Sequence, residues 1–170
     1  MPHKRMRVKL QIATAGDVAD LMSLRKAVNR HMVAQHGKGY WSVRLTARGA
    51  LFAMRNSRVY IARHRKRPIA TLALSTRKPW AIDGKYFSPS KRPLYLTAME
   101  ISPEHQRQGV GKLCLEEVCR IARKWPADAI RLDAWDAEAG GGEFYRKFGF
   151  REVGRATYRN TPLIYFELLL

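Results

Sequence analysis

The sequence predicts a mixed α/β domain with elements in the order β-α-α-β-β-β-α-β-α-β-β. Three observations carry that prediction. Short β-rich runs alternate with amphipathic stretches of helical period. A glycine loop, Gln106-Arg107-Gln108-Gly109-Val110-Gly111, separates an apolar run ending at Ile101 from an amphipathic run beginning at Val110. No repeat, low-complexity tract or linker interrupts the 170 residues, so 1–170 reads as one domain large enough to bury a core.

The elements follow in order. Arg7 to Thr14 alternates loosely and reads as a first strand. Asp17 is placed to cap a helix with Val18, Leu21, Met22, Val28 and Met32 on one face, broken by Gly37 and Gly39. A second helix is expected from about Val43 to Arg55, burying Leu45, Leu51, Phe52 and Met54. Val59 to His64 and Ile69 to Ser75 are β-rich, joined by the basic turn Arg65-Lys66-Arg67-Pro68. Residues 77–92 have the Pro and Gly content of a long irregular insertion, a length that in a compact domain marks a functional or disordered loop. Leu94 to Ile101 is the central strand. The next helix carries Val110, Leu113, Cys114, Val118, Ile121 and Trp125 at helical spacing and stops at Pro126. Ala129 to Trp135 is a strand, Ala139 to Phe148 a helix, and Arg151 to Tyr158 and Leu163 to Leu169 close the sheet.

Composition excludes several classes. A 46% hydrophobic content with four tryptophans is not that of a disordered chain. The apolar runs are too short to span a bilayer, and the basic start Met1 to Arg7 lacks the apolar stretch of a secretory signal. A cytoplasmic protein is therefore expected. Cys114 and Cys119 fall on one helix, pointing to different faces, and neither bridge each other nor frame a metal. No metal is expected. The net charge of +18 is unevenly placed: residues 1–97 hold 21 Lys and Arg against three acids, while residues 98–170 hold 11 of each sign. That asymmetry concerns partners and does not inform fold.

The glycine loop is a strand–turn–helix, and the open N–H groups and positive dipole end of such a helix form an anion site. Gly109 and Gly111 keep side chains out of a phosphate's way, and Lys112 adds a cation. The run lacks the GxxxxGK[ST] spacing of a P-loop and the GxGxxG of a dinucleotide fingerprint. It resembles instead motif A of the GCN5-related N-acetyltransferases (GNAT family), Q/R-x-x-G-x-G/A. Glu143-Phe144-Tyr145-Arg146-Lys147-Phe148-Gly149-Phe150 resembles that family's motif B, and the two span roughly residues 93 to 155. The resemblance implies a GNAT fold: a mixed central sheet of about six or seven strands, splayed to admit acyl-CoA and flanked by about four helices. It also implies an acceptor-side half at about 1–92, an acyl-CoA-binding half at about 93–155 and closing strands over 151–170. The implied activity is transfer of an acetyl group from acetyl-CoA to a primary amine, by direct attack in a ternary complex.

By the same resemblance, Gln106, Arg107, Gln108, Gly109, Val110, Gly111 and Lys112 bind the CoA pyrophosphate, mainly through backbone N–H groups. Met99 and Ile101, on a bulged central strand, bond the pantetheine amides. Tyr145 stands where the family places the proton donor to the leaving thiolate, and a phenol of pKa about 10 suits that task. The family often has Asn at the start of this helix; Glu138 occupies that place here and, as a carboxylate, has no proton to donate. Three successive glycines, Gly140 to Gly142, cost about 3 kcal/mol inside a helix. Either the helix starts late or close approach to the cofactor offsets the cost. Two carboxylates are candidate general bases: Asp133, at the end of its strand facing the splay, and Glu100, whose alternative role is an ion pair with an arginine.

On the acceptor side Trp41 and Tyr86 are the aromatics expected to touch the amine, with loop anchoring as the alternative. The basic half suits an acceptor bearing carboxylate or phosphate and disfavours polyamines. Two other functions remain open: a nucleic-acid- or ribosome-associated module using cations such as Arg63, Arg65, Lys66 and Arg67, and a non-catalytic acyl-CoA sensor. The apolar end Leu168-Leu169-Leu170 either pairs across a dimer or finishes the sheet of a monomer.

Overall fold

Why each segment takes its form is largely settled by apolar period and turn chemistry. The computed structural model describes residues 6–170, so the first five residues of the basic start lie outside it. The elements are β1 (Gln11–Ile12), α1 (Val18–His36), α2 (Ala47–Asn56), β2 (Arg58–His64), β3 (Arg67–Ser75), β4 (Pro93–Ile101), α3 (Val110–Lys124), β5 (Ala129–Trp135), α4 (Gly142–Phe148), β6 (Arg151–Tyr158) and β7 (Thr161–Leu169). The expected order holds, in a mixed seven-stranded sheet with strand order β1-β2-β3-β4-β5-β7-β6. The chain divides into two compact units, one of residues up to Ala73 with Ala98–Glu117, the other of Leu74–Thr97 with Val118–Leu170.

In the first unit, β1 is two residues long where eight were expected, and it pairs antiparallel with β2. Asp17 precedes α1 without capping it. Its carboxylate instead accepts the Thr14 N–H at 2.7 Å and an Arg63 N–H at 2.6 Å, while Arg63 also reaches Asp20 at 2.9 Å. The Thr14 bond and Arg63 hold the Asp17 carboxyl below its usual range. Leu21 and Leu24 are the buried residues of α1. Leu21 joins Ala13, Val59, Ile61 and Ala73 in a core that Leu45, Ala53 and Met54 partly cover. Each fully buried aliphatic side chain there contributes about 1.5–3 kcal/mol. Helix α2 starts later than expected because Thr46 caps it through the Gly49 N–H, and it turns Leu51 and Phe52 outward rather than inward. Arg65 and Lys66 both have positive φ, 48° and 69°, which makes the β2–β3 turn a two-residue type I′ connection.

In the second unit, β5 pairs antiparallel with β7 over seven positions and parallel with β4 over three, Pro93 to Tyr95 against Ala129 to Arg131. The described β4–β5 ladder thus stops at Arg131, while β5 continues to Trp135. β6 joins β7 by a second type I′ turn, Arg159 and Asn160 at φ 47° and 62°, so β7 begins two residues before the expected Leu163.

The segment 77–92 is irregular, as expected, and it is tied down. Tyr165 Oη donates to the Ala81 carbonyl at 2.5 Å and accepts the Asp83 N–H at 3.3 Å. Arg131 Nη2 donates to the Ser88 carbonyl at 2.5 Å, and Glu167 accepts the Ser88 N–H at 3.2 Å and Arg131 Nε at 2.9 Å. Asp128 accepts the Ser90 hydroxyl and the N–H groups of Lys91 and Arg92. Ile82 and Phe87 then pack with Tyr95, Leu163 and Tyr165.

Helix α3 buries Val110, Cys114, Leu115, Val118, Cys119 and Ala122. Neither cysteine is in a disulfide, as expected for two residues on one helix, and both are buried. Burial pushes the Cys114 thiol up to about 12. No helix of the described residues is long and apolar enough to cross a membrane.

Candidate active site

The loop after β4 is built from its own contacts. Pro103 to His105 form a short 3-10 turn. Gln106 Nε2 donates back to the Ile101 carbonyl at 3.1 Å, and Gln108 Nε2 donates to the Glu104 carbonyl at 2.7 Å. Both glutamine side chains therefore brace the loop. Arg107 and Gly109 have positive φ, 57° and 82°. Backbone that enters the left-handed region next to a helix start turns successive N–H groups into a concave anion nest. The first α-helical bond runs from the Leu113 N–H to the Gly109 carbonyl at 3.1 Å, so helix geometry leaves the N–H groups of Val110, Gly111 and Lys112 without intrahelical partners. A Cβ on Gly109 would meet nothing within 4 Å, so the space in front of it is open. Arg107 and Lys112 are exposed beside it. Open N–H groups, open space and two cations fit a diphosphate.

Just before this loop β4 carries its irregularity: Ala98 has φ 50°, an unusual backbone for a residue with a Cβ. That is a local distortion of the strand immediately ahead of Met99, Glu100 and Ile101, all three half-buried. Glu100 forms an ion pair with Arg25 of α1, the alternative role weighed for it. Its pKa is nonetheless raised, because burial outweighs the Arg25 charge, and its Oε2 has no hydrogen-bond partner among the described residues.

In the second unit, Tyr145 sits on α4, with its ring 5.1 Å from Phe144, 5.6 Å from Phe150 and 5.9 Å from Phe166. The helix starts at Gly142, later than the expected Ala139, so only one of the three glycines is helical. Gly140 precedes it in a turn where a Cβ would stand 1.9 Å from the Trp135 carbonyl oxygen. The glycine run is thus explained by a late start and a backbone crossing. Glu138 is exposed in the same turn.

Asp133 lies two residues before the end of β5, a correction to its expected place at the strand end, and it stands opposite Tyr165 on β7. It is not a solvated carboxylate: burial pushes its pKa up, opposed only by a backbone hydrogen bond. Strand alternation puts it on the same face as Arg131 and Tyr165, the face covered by segment 81–88. Helix α4 covers the other face, where a Cβ on Gly142 would touch Ile164 and Phe166. Asp133 and Tyr145 therefore stand on opposite faces of the β5–β7 sheet.

Both aromatics expected to meet the acceptor are engaged locally. Trp41 Nε1 donates to the Gly37 carbonyl at 3.1 Å, and its ring fills the space a Cβ on Gly39 would take. The Tyr86 ring lies against Gly154, 2.3 Å from where a Cβ would sit, and 5.4 Å from the ring of Tyr165. Sequence reasoning missed Arg131, Glu167, Asp128 and Tyr165 as the anchors of segment 77–92. The available signal was a charged residue inside an apolar strand run, Arg131 in AIRLDAW and Glu167 in LIYFELL.

The family model described as Acetyltransferase (GNAT) family matches residues 23–150. The chain belongs to the GNAT acetyltransferase family. As a member it is an acetyl-CoA-dependent N-acetyltransferase. Among curated proteins none matches it. Solved structures with the same fold include a GNAT-family acetyltransferase from Streptococcus agalactiae, at 11% identity and TM-score 0.76, covering 96% of this chain and 95% of that one. The ribosomal-protein-S18-alanine N-acetyltransferase from Escherichia coli aligns at 12% identity and TM-score 0.69, covering 95% and 93%. The PaiA N-acetyltransferase from Thermoplasma acidophilum, solved with coenzyme A, aligns at 16% identity and TM-score 0.70, covering 94% and 98%. At these identities the likeness shows a shared fold. Among the described residues no group of three His, Cys, Asp or Glu is placed to hold a metal ion.

Proposed function

We propose that this GNAT acetyltransferase acts on a primary amine whose carrier bears carboxylate or phosphate, a small molecule or a peptide. The observation that carries the proposal is charge: the first unit holds 18 Lys and Arg against six acids, a net of +12. Three of these six acids are occupied, Asp17 and Asp20 on Arg63 and Glu100 on Arg25. Such a field repels polycations, and it lowers the pKa of a nearby amine, favouring the neutral nucleophile.

Acetyl-CoA, when bound, supplies an acyl thioester for the amine to attack. The backbone of Gln106 to Lys112 holds its diphosphate, with Arg107 and Lys112 adding charge, and Met99 and Ile101 offer backbone groups to the pantetheine arm. Asp133 is the base that takes the amine proton; a raised pKa brings a carboxylate nearer to the task. Tyr145 gives its phenolic proton to the departing sulfur as the N–C bond forms and the C–S bond breaks. An α-amine of pKa about 8 costs under about 1 kcal/mol to deprotonate at pH 7.4, and a lysine near 10.4 costs about 4 kcal/mol. Asp133 matters most for the second class.

Rates with matched pairs of acceptors, one acidic and one basic around the same amine, test the proposal. A preference for the acidic member supports it, and a preference for polyamines refutes it.

A further inference from the structure

The second unit presents an unused surface around the two ends of segment 76–92. Thr76 at one end and Lys91 and Arg92 at the other line a pocket of about 270 Å³, together with Trp125 and Pro126 beyond α3. It lies by Pro93 and Leu94, the start of β4, and Ala127, just before β5. Asp133 and α4 belong instead to the far end of β5. The pocket is smaller than the roughly 300–1,000 Å³ that encloses a drug-sized ligand.

Its surroundings are cationic. Lys91 and Arg92 line it, Arg77 and Lys124 adjoin lining residues in sequence, and among the described residues none of the four is in an ion pair. The nearby carboxylates are spent: Asp83 pairs with Lys85, and Asp128 accepts Ser90 and the Lys91 and Arg92 N–H groups. On the same segment Trp80 is 90% exposed.

We infer that this surface binds single-stranded nucleic acid, with phosphates on the cations and a base stacked on Trp80. Cations that track a backbone, interleaved with aromatic faces, are the two components of sequence-tolerant single-strand binding. A duplex keeps its base faces stacked and has none to offer Trp80. An acidic protein segment would satisfy the charges and leave the Trp80 indole unused. The hairpin cations expected for this role are a poorer surface, since Arg63 is held by Asp17 and Asp20.

The test is fluorescence anisotropy of the full chain with 12-nucleotide labelled RNA and DNA single strands over a range of salt. Trp80→Ala removes a ring without changing charge, and at 90% exposure it leaves the fold intact. It should weaken binding about tenfold. Lys91→Ala with Arg92→Ala should lower the slope of log affinity against log salt by about 1.4. Arg65→Ala with Lys66→Ala, in the other unit, should change neither. Absence of binding, or binding that survives both the Trp80 and the Lys91/Arg92 variants, overturns the inference. So does displacement by polyglutamate with no effect of Trp80→Ala, which would assign the surface to an acidic protein. Calorimetry with acetyl-CoA on the same preparations reports the acetyltransferase site separately.

Discussion

Replacing Glu167 by Gln should both destabilise the protein and shift the pH dependence of its activity. Glu167 is 2% and Arg131 7% exposed, and their side chains meet at 2.9 Å. Removing one partner of a buried pair leaves the other charge uncompensated, at a cost of about 3–5 kcal/mol. The lower end applies here, because Arg131 keeps the Ser88 carbonyl and the Phe87 ring, 4.9 Å away. For a chain of this size that loss lowers the melting temperature by roughly 6–12 °C. Arg131→Met with Glu167→Leu removes both charges and should recover much of the loss. The link to activity runs through Ser88. Glu167 and Arg131 hold Ser88 from both sides of its peptide, over the face that carries Asp133. Loosening that cover hydrates Asp133 and lets its raised pKa fall toward the usual carboxylate range, so the acid limb of the pH–rate profile moves to lower pH. Denaturant titrations and pH–rate profiles on the parent and the two variants check both parts. A loss below about 1 kcal/mol in Glu167→Gln, the range of an exposed pair, would refute the reasoning.

Three further outcomes are expected. Gly109→Ala meets no steric obstacle, so its cost is the left-handed backbone alone, about 1–2 kcal/mol, read by thermal melting, and coenzyme A should bind more weakly by calorimetry. An unchanged melting curve would contradict the positive φ. Tyr145→Phe should lower kcat about 100-fold while leaving acetyl-CoA affinity intact, as single-turnover rates and calorimetry will report. Asp133→Asn should remove the acid limb of the rate profile. In the parent protein a raised folded-state pKa means that this group's contribution to stability is fully present below its unfolded pKa of about 3.9 and is lost as pH rises through the folded value, a slope Asn abolishes.

Much of this protein was legible in its linear pattern, because the signals were local. The glycine loop follows from a strand stop, two glycines and a helix start within a few residues, and its geometry in the fold needs only Arg107, Gly109 and the first turn of α3. Period and breakers also sufficed for the element order and for β5, which spans the residues expected. Turn lengths were misjudged at Arg65-Lys66 and Arg159-Asn160, since left-handed pairs without glycine leave little compositional trace. Helix α2 was turned the wrong way because the apolar character of Leu51 and Phe52 does not say which side of a helix finds a core.

Sequence by itself determined the family, the glycine loop and the chemical types available to the site. Tertiary structure alone decided the state of those groups. Asp133 is a half-buried carboxylate with a raised pKa, on the sheet face over which Tyr165, Arg131 and Glu167 hold a segment some fifty residues earlier. Glu100 is drawn to an arginine 75 residues away. Proton affinity depends on what excludes water and what charge stands nearby. Both are properties of packing between distant segments, which a one-dimensional pattern does not contain.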